Sequence, residues 1–147
     1  MKHRQAERGR TFILLLEDGE ILHETVEEFA RTHSVKAAVL IAVGGADEGS
    51  RLVVGPESAR TLPIQPKERV LEGVHELAGA GTLFQDETGN PVLHMHLACG
   101  RGDGTITGCV RNGVRVWRML EIILIELINT SSLRKHDIQT GFLVLEP

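Results

Sequence analysis

From Arg69 to the C-terminus, extended segments follow one another with no helical period between them, and this run constrains the fold more than any other feature. The segments are Arg69 to Phe84, Pro91 to Cys99, Thr105 to Arg111, Val114 to Ile128 and Gly141 to Leu145. A parallel neighbour needs a crossover of roughly a dozen or more residues, usually helical, whereas an antiparallel one needs only a short turn. Turn sequences of that kind stand at Asp86-Glu87-Thr88-Gly89-Asn90 and Gly100-Arg101-Gly102-Asp103-Gly104.

Upstream, Thr11 to Glu17 (TFILLLE) reads as a buried first strand closed by Asp18-Gly19. Ala37 to Val43 (AAVLIAV) reads as another, which Gly44-Gly45 ends, and Arg51 to Val54 as a short one before a loop with Pro56, Pro63 and Pro66. Between the first two lies one helix. Leu22, Val26, Phe29 and Ala30 share a face, with Glu24, Glu27, Glu28 and Arg31 on the other. His23 and His33 are expected on the solvent side or at the helix end, where His33 suits the negative end of the dipole. The expectation is an α+β fold: a largely antiparallel, curved β-sheet with a flanking helix, one domain over residues 1–147, and a flexible tail over 1–9.

With 41% hydrophobic residues in 147, the chain can bury one core, and with 3% aromatic residues and no Tyr that core rests on Val, Leu, Ile and Ala. Few side chains are left on which single-stranded bases could stack. The net charge of −4 also argues against the basic surface of an autonomous duplex-DNA binder, so direct DNA binding is not expected. Charge is uneven, however: residues 101–118 hold Arg101, Arg111, Arg115 and Arg118 against Asp103 alone, 4 − 1 = +3. These read either as solvated strand-edge arginines or as an anion-attracting patch. The N-terminus lacks the apolar run of a signal peptide, and Met119 to Ile128 is interrupted by Glu121 and Glu126, so no membrane segment is expected and the compartment reads as cytoplasmic. Cys99 and Cys109 are then free or ligating thiols.

The chemistry concentrates at His94-Met95-His96 and at Cys109 in Thr107-Gly108-Cys109. Residues two apart on a strand share a face. If Phe84 faces Pro91 around the first turn, Gly81 falls opposite His94 and Gly79 opposite His96, leaving a recess beside the imidazoles. If Gly100 pairs with Thr105 around the second, Cys109 falls opposite His96 and Arg111 opposite His94. Two imidazoles and a thiolate can then bend toward one centre with ~2.0 to 2.3 Å bonds, leaving a position open. Zinc, or another transition metal that accepts imidazole, suits this donor set. The bland reading is two half-exposed histidines and a core cysteine. Asn112-Gly113 carries a type I′ hairpin signal, which would pair Arg111 with Val114, Cys109 with Val116, and put the thiol on an inner strand.

Gly89-Asn90-Pro91-Val92-Leu93-His94-Met95-His96, the glycine turn after it, Thr107-Gly108-Cys109 and Glu121-Ile122-Ile123 resemble the PPC domain, the plants and prokaryotes conserved family also catalogued as DUF296. The early Ile13 to Glu17 strand, the helix and Val43-Gly44-Gly45 follow the family order, so the resemblance covers nearly the whole chain. It implies a subunit that commonly assembles into trimers, and an association with DNA that plant relatives achieve through separate AT-hook segments. This chain has no Arg-Gly-Arg-Pro core. His94 and His96 match family histidines, Cys109 stands where the family usually has a third, and Glu121 matches an acidic position of structural role. Two functions are consistent with this. One is a homotrimeric regulatory or assembly module with a transition-metal or small-ligand site and protein partners. The other is a metal-dependent enzyme acting on a small anionic metabolite, its charge neutralised by Arg111 or Arg101 beside Gly79 and Gly81.

Overall fold

A computed structural model describes residues 1–60, 62–111 and 113–147. Ten strands and one helix follow in the order β1 (Glu7–Glu17), α1 (Leu22–Thr32), β2 (Ala37–Ala46), β3 (Arg51–Pro56), β4 (Pro66–Val70), β5 (His75–Gln85), β6 (Pro91–Arg101), β7 (Gly104–Cys109), β8 (Val116–Ile128), β9 (Leu133–His136) and β10 (Leu143–Glu146). Eight strands form an antiparallel sheet in the order β1-β8-β2-β5-β6-β7-β3-β4, and β9 pairs with β10 in a separate ribbon. The α+β, largely antiparallel expectation is what the structure shows.

Alternation along the strands assigns the two faces. On β6, Leu93, Met95, Leu97 and Cys99 are buried while His94, His96 and Ala98 point the other way. On β2 and β8, Leu40 and Ala42 and then Leu120, Ile122 and Leu124 join the buried set. The helix covers this inner face with Leu22, Val26 and Ala30, spaced four apart and all buried. Burying a side chain such as Leu22 or Val26 contributes about 1.5–3 kcal/mol, which explains why an 11-residue helix, marginal in isolation, is held. At its C-terminal end, His33 Nδ1 lies 3.0 Å from the Phe29 carbonyl and the ring stacks on Phe29.

Several sequence-based boundaries move. The chain joins the sheet at Glu7, so residues 7–9 are strand rather than tail. The Arg10 backbone N–H and guanidinium donate to the buried Glu126 carboxylate and draw this segment onto β8. Gly44-Gly45 does not end β2, which runs to Ala46 through a register shift against β8. A Cβ on Gly44 would lie 2.4 Å from the Met119 carbonyl oxygen, so glycine lets the strands pass each other. The segment from Arg69 to Phe84 splits into β4 and β5.

The first hairpin is one residue out of the expected register. Gln85, not Phe84, pairs with Pro91. The cause is Asp86: its Oδ1 accepts from the Thr88 and Asn90 backbone N–H groups and from Thr88 Oγ1, winding the turn tightly enough to keep Gln85 in the strand. The second hairpin follows expectation, with Gly100 opposite Thr105 and His96 opposite Cys109. β7 does not pair with β8, so the expected Cys109–Val116 pairing is absent; Asn112 itself lies outside the described residues. β7 is nonetheless an inner strand, because β3 takes its other side with Val53 opposite Cys109. Among the described residues no helix is long and apolar enough to cross a membrane.

Candidate metal centre

Direct cross-strand partners share a face of a sheet. The ladders therefore align Ile13, Ile123, Ile41, Ala80, His96, Cys109 and Val53 in one row on the outer face. His94 lies one step along β6, opposite Thr82. The two imidazoles and the thiol meet on this face: one ligand atom from each of His94, His96 and Cys109 lies within 4.8 Å of the others. The Nε2 atoms of His94 and His96 are 3.2 Å apart, with the rings edge to face. A tetrahedral centre with ~2.0–2.1 Å metal–nitrogen bonds places its nitrogens about 3.3 Å apart, so the histidines stand close to ligating separation. Both are exposed, whereas Cys109 is buried.

The local field favours the neutral imidazole that a metal requires. Although His94 is exposed overall, partial desolvation of its ring against the cavity wall holds it below the ordinary histidine range, and the positive charges of Arg134, the His96 ring and Arg111 push the same way. Cys99, on the inner face of β6, is a different case. Burial pushes its thiol up to about 11, which makes it a core residue rather than a ligand.

The triad stands at the end of a strand that stops early. β7 ends at Cys109 while β6 begins at Pro91, so β6 residues near His94 have no strand partner on that side. Other groups satisfy that edge: the Leu93 N–H donates to Glu27 Oε1 at 2.8 Å and the Met95 carbonyl accepts from the Val110 N–H. A cavity of about 220 Å³ occupies the gap, lined by His23, Glu27, His94, Arg111, Arg134 and neighbours. A second, largely apolar chamber of about 430 Å³ borders His94, His96 and Cys109 and is walled by Val53, Pro56, Ile64, Pro66 and Phe142. His94 and Arg111 line both.

The glycines expected beside the imidazoles are elsewhere. Gly79 and Gly81 stand opposite Leu97 and Met95 on the inner face, where missing side chains make room for core packing and for the β6 backbone. Their displacement is the consequence of the one-residue turn correction, since such a slip exchanges faces. Arg101 is also removed from the triad: its guanidinium donates to the Val74 carbonyl at the far end of β6. Arg111 is not on the ladder opposite His94, because β7 has ended, but it reaches the site as a wall of both cavities. Arg115 and Arg118 lie away from these cavities, Arg115 bonding the Gly19 carbonyl and Arg118 donating its N–H to Asp18.

Sequence reasoning missed Arg134, buried on β9, and assigned His23 and Glu27 to solvent although they line the first cavity. The i, i+4 spacing of His23 and Glu27 was a usable signal that one helix face turns toward the sheet edge. Arg134 offered none, because Leu133-Arg134-Lys135-His136 has no apolar alternation.

The profile of the Plants and Prokaryotes Conserved (PCC) domain matches residues 3–128. Among solved structures, the chain is similar to a metal-containing protein from Archaeoglobus fulgidus, with 22% identity, a TM-score of 0.86 and 100% of both chains covered. A plant- and prokaryote-conserved protein from Pyrococcus horikoshii shares 21% identity with a TM-score of 0.80, covering 100% of this chain and 98% of its own. A Ralstonia eutropha chain named "putative DNA-binding protein" shares 19% identity with a TM-score of 0.73, covering 92% of this chain and 90% of its own. No curated protein matches.

Proposed function

Because this chain belongs to the Plants and Prokaryotes Conserved domain family, we propose that it is a homotrimeric regulatory or assembly module carrying a transition-metal site at His94, His96 and Cys109. The observation that carries the metal reading is the meeting of two imidazoles and a thiol from two neighbouring strands within 4.8 Å. Their softness and number favour zinc, and three protein ligands leave a position for a small ligand. When bound, the metal would act as a Lewis acid at that open position. The metal-containing Archaeoglobus protein of the same fold supports the assignment.

The assembly reading rests on the outer face of β1, β8 and β2. Ile13 is 82% exposed, Leu15 63% and Ile41 56%, and Val43, Met119 and Ile123 join them on the three adjacent strands. An apolar surface built from neighbouring strands in this way marks an association site. The stoichiometry of three is what family membership suggests. Contact with DNA is assigned to partners, since the net charge of −4 supplies no basic surface for the duplex. Two free thiols support a reducing, cytoplasmic setting.

Elemental analysis of protein purified without chelator, paired with anomalous scattering, tests the site. Stoichiometric zinc that disappears in His96→Ala and falls in Cys109→Ser is expected. Metal-free protein that takes up no zinc on titration refutes the site. Sedimentation tests the assembly: a trimer that Ile41→Lys converts to monomer is expected, and a monomeric native chain refutes it. An electrophoretic shift at physiological salt is expected to show no duplex binding at micromolar protein.

A further inference from the structure

Two guanidiniums line the cavity beside the triad, and neither is ion-paired to a carboxylate among the described residues. Arg134 is only 3% exposed, and its Nε and Nη2 donate to the Val92 carbonyl, the Thr82 carbonyl and Thr82 Oγ1, all neutral acceptors. Its Nη1 has no partner among the described residues. Arg111 has its guanidinium carbon 5.0 Å from the centre of the Phe142 ring. No ion pair of the described residues involves either arginine. Glu27, the carboxylate on the same cavity wall, is engaged at the free edge of β6 by the Leu93 N–H. Anchoring β9 to the sheet requires hydrogen-bond donors but not a positive charge, and a buried charge without a counter-charge is costly. Such an arrangement is stabilised by an anion arriving from outside.

The neighbouring chamber defines the rest of that anion. It shares His94 and Arg111 with the arginine cavity and, apart from these, His96 and Cys109, its wall is apolar, with Val53, Ile64 and Phe142 in it. A bare inorganic ion would leave this surface unused. We propose that the two adjoining cavities, which share His94 and Arg111 as wall, bind an organic carboxylate with a short apolar chain, its carboxylate on Arg134 and Arg111 and its chain against Phe142 and Ile64. Planar guanidiniums pair with carboxylates through parallel N–H···O bonds. The site goes beyond the metal and assembly readings and requires neither.

Calorimetric titration of the full chain, both chelator-treated and zinc-loaded, with isovalerate tests this. Isoamyl alcohol and inorganic phosphate serve as probes of the two halves. Isovalerate is expected to bind both preparations, with the alcohol and phosphate weaker by about tenfold or more, the scale of a charge-assisted hydrogen bond. Arg111→Gln and Arg134→Gln are each expected to weaken isovalerate by about tenfold or more. Should Arg134→Gln fail to fold, exposed Arg111 carries the test. No binding at up to about 10 mM, phosphate binding as tightly as isovalerate, or an Arg111→Gln variant with unchanged affinity overturns the proposal. Isovalerate binding retained in protein that takes up no zinc would sink the metal reading alone.

Discussion

Replacing Gly79 by alanine tests the β5–β6 register on which the site depends. In the structure, a Cβ at this position would lie 2.4 Å from the His96 carbonyl oxygen and 2.4 Å from Leu97 Cδ2. Comfortable contact between carbon atoms begins near ~3.5 Å, so the two strands must part by about 1 Å locally. The leucine can turn away, but the backbone oxygen cannot. Overpacking of this kind costs about 1–3 kcal/mol, and for a chain of this size each kcal/mol lowers Tm by roughly 2–4 °C. The expected loss is therefore about 2–12 °C. Because the displaced oxygen belongs to His96, zinc affinity should fall with it. Gly100→Ala is the control: its Cβ would meet nothing closer than Thr105 Oγ1 at 3.7 Å, and a change within about 0.5 kcal/mol is expected. Urea unfolding and zinc titration on the same preparations give both readouts. In the alternative register, with residue 79 beside the His96 imidazole on the outer face, the new methyl group meets no core atom. Gly79→Ala protein with native stability and native zinc affinity would therefore refute the assigned register.

Other consequences are as direct. Cys99, raised to about 11 by burial, should resist alkylation in the folded protein at neutral pH. A thiol raised by folding contributes full stability below its unfolded pKa, so unfolding free energy should fall as pH rises from about 9 to about 11; a Cys99→Ala variant with the same alkaline loss would contradict this. Leu22→Ala, at a side chain with 0% exposure, should cost about 2–5 kcal/mol by denaturant unfolding, and a cost below 1 kcal/mol would mean the helix contributes little to the core. Glu27→Ala leaves the buried-edge Leu93 N–H without its acceptor and should destabilise by about 1–3 kcal/mol, while Glu27→Gln should restore most of that loss; equal effects would show that the hydrogen bond is not the cause.

The sheet and its face-by-face alternation were legible because the physics is local: apolar periodicity places Leu93, Met95 and Leu97 together whatever the tertiary context. The second hairpin was legible for the same reason, since Gly102 at the turn and Thr105 beyond it leave little choice of closure. The first was misread by one residue because a single carboxylate oxygen, Asp86 Oδ1, captures three donors and shortens the turn. Composition alone does not show which acceptor will win. The Asn112-Gly113 hairpin signal was overridden from a distance: β8 is occupied on both sides by β1 and β2, pairings between residues far apart in sequence. The same non-locality hid Arg134, whose importance comes from the edge β6 exposes and not from its own neighbours. His94, His96 and Cys109 converge as expected because their geometry depended only on the hairpin that was read correctly.

The two margins of the sheet also limit where a further strand can add. β4 runs Pro66-Lys67-Glu68-Arg69-Val70, every residue exposed, and β1 at the opposite margin carries Arg8, Arg10 and a register shift between Arg8 and Thr11. Proline, alternating charges and irregular pairing all discourage the addition of a further strand. Head-to-tail pairing of one margin with the other in successive copies would extend into filaments unless the rotation closed it, whereas an isologous contact is closed. With both margins blunted, the exposed isoleucines of the outer face, Ile13, Ile41 and Ile123, and not the strand edges, form the surface on which the proposed assembly depends.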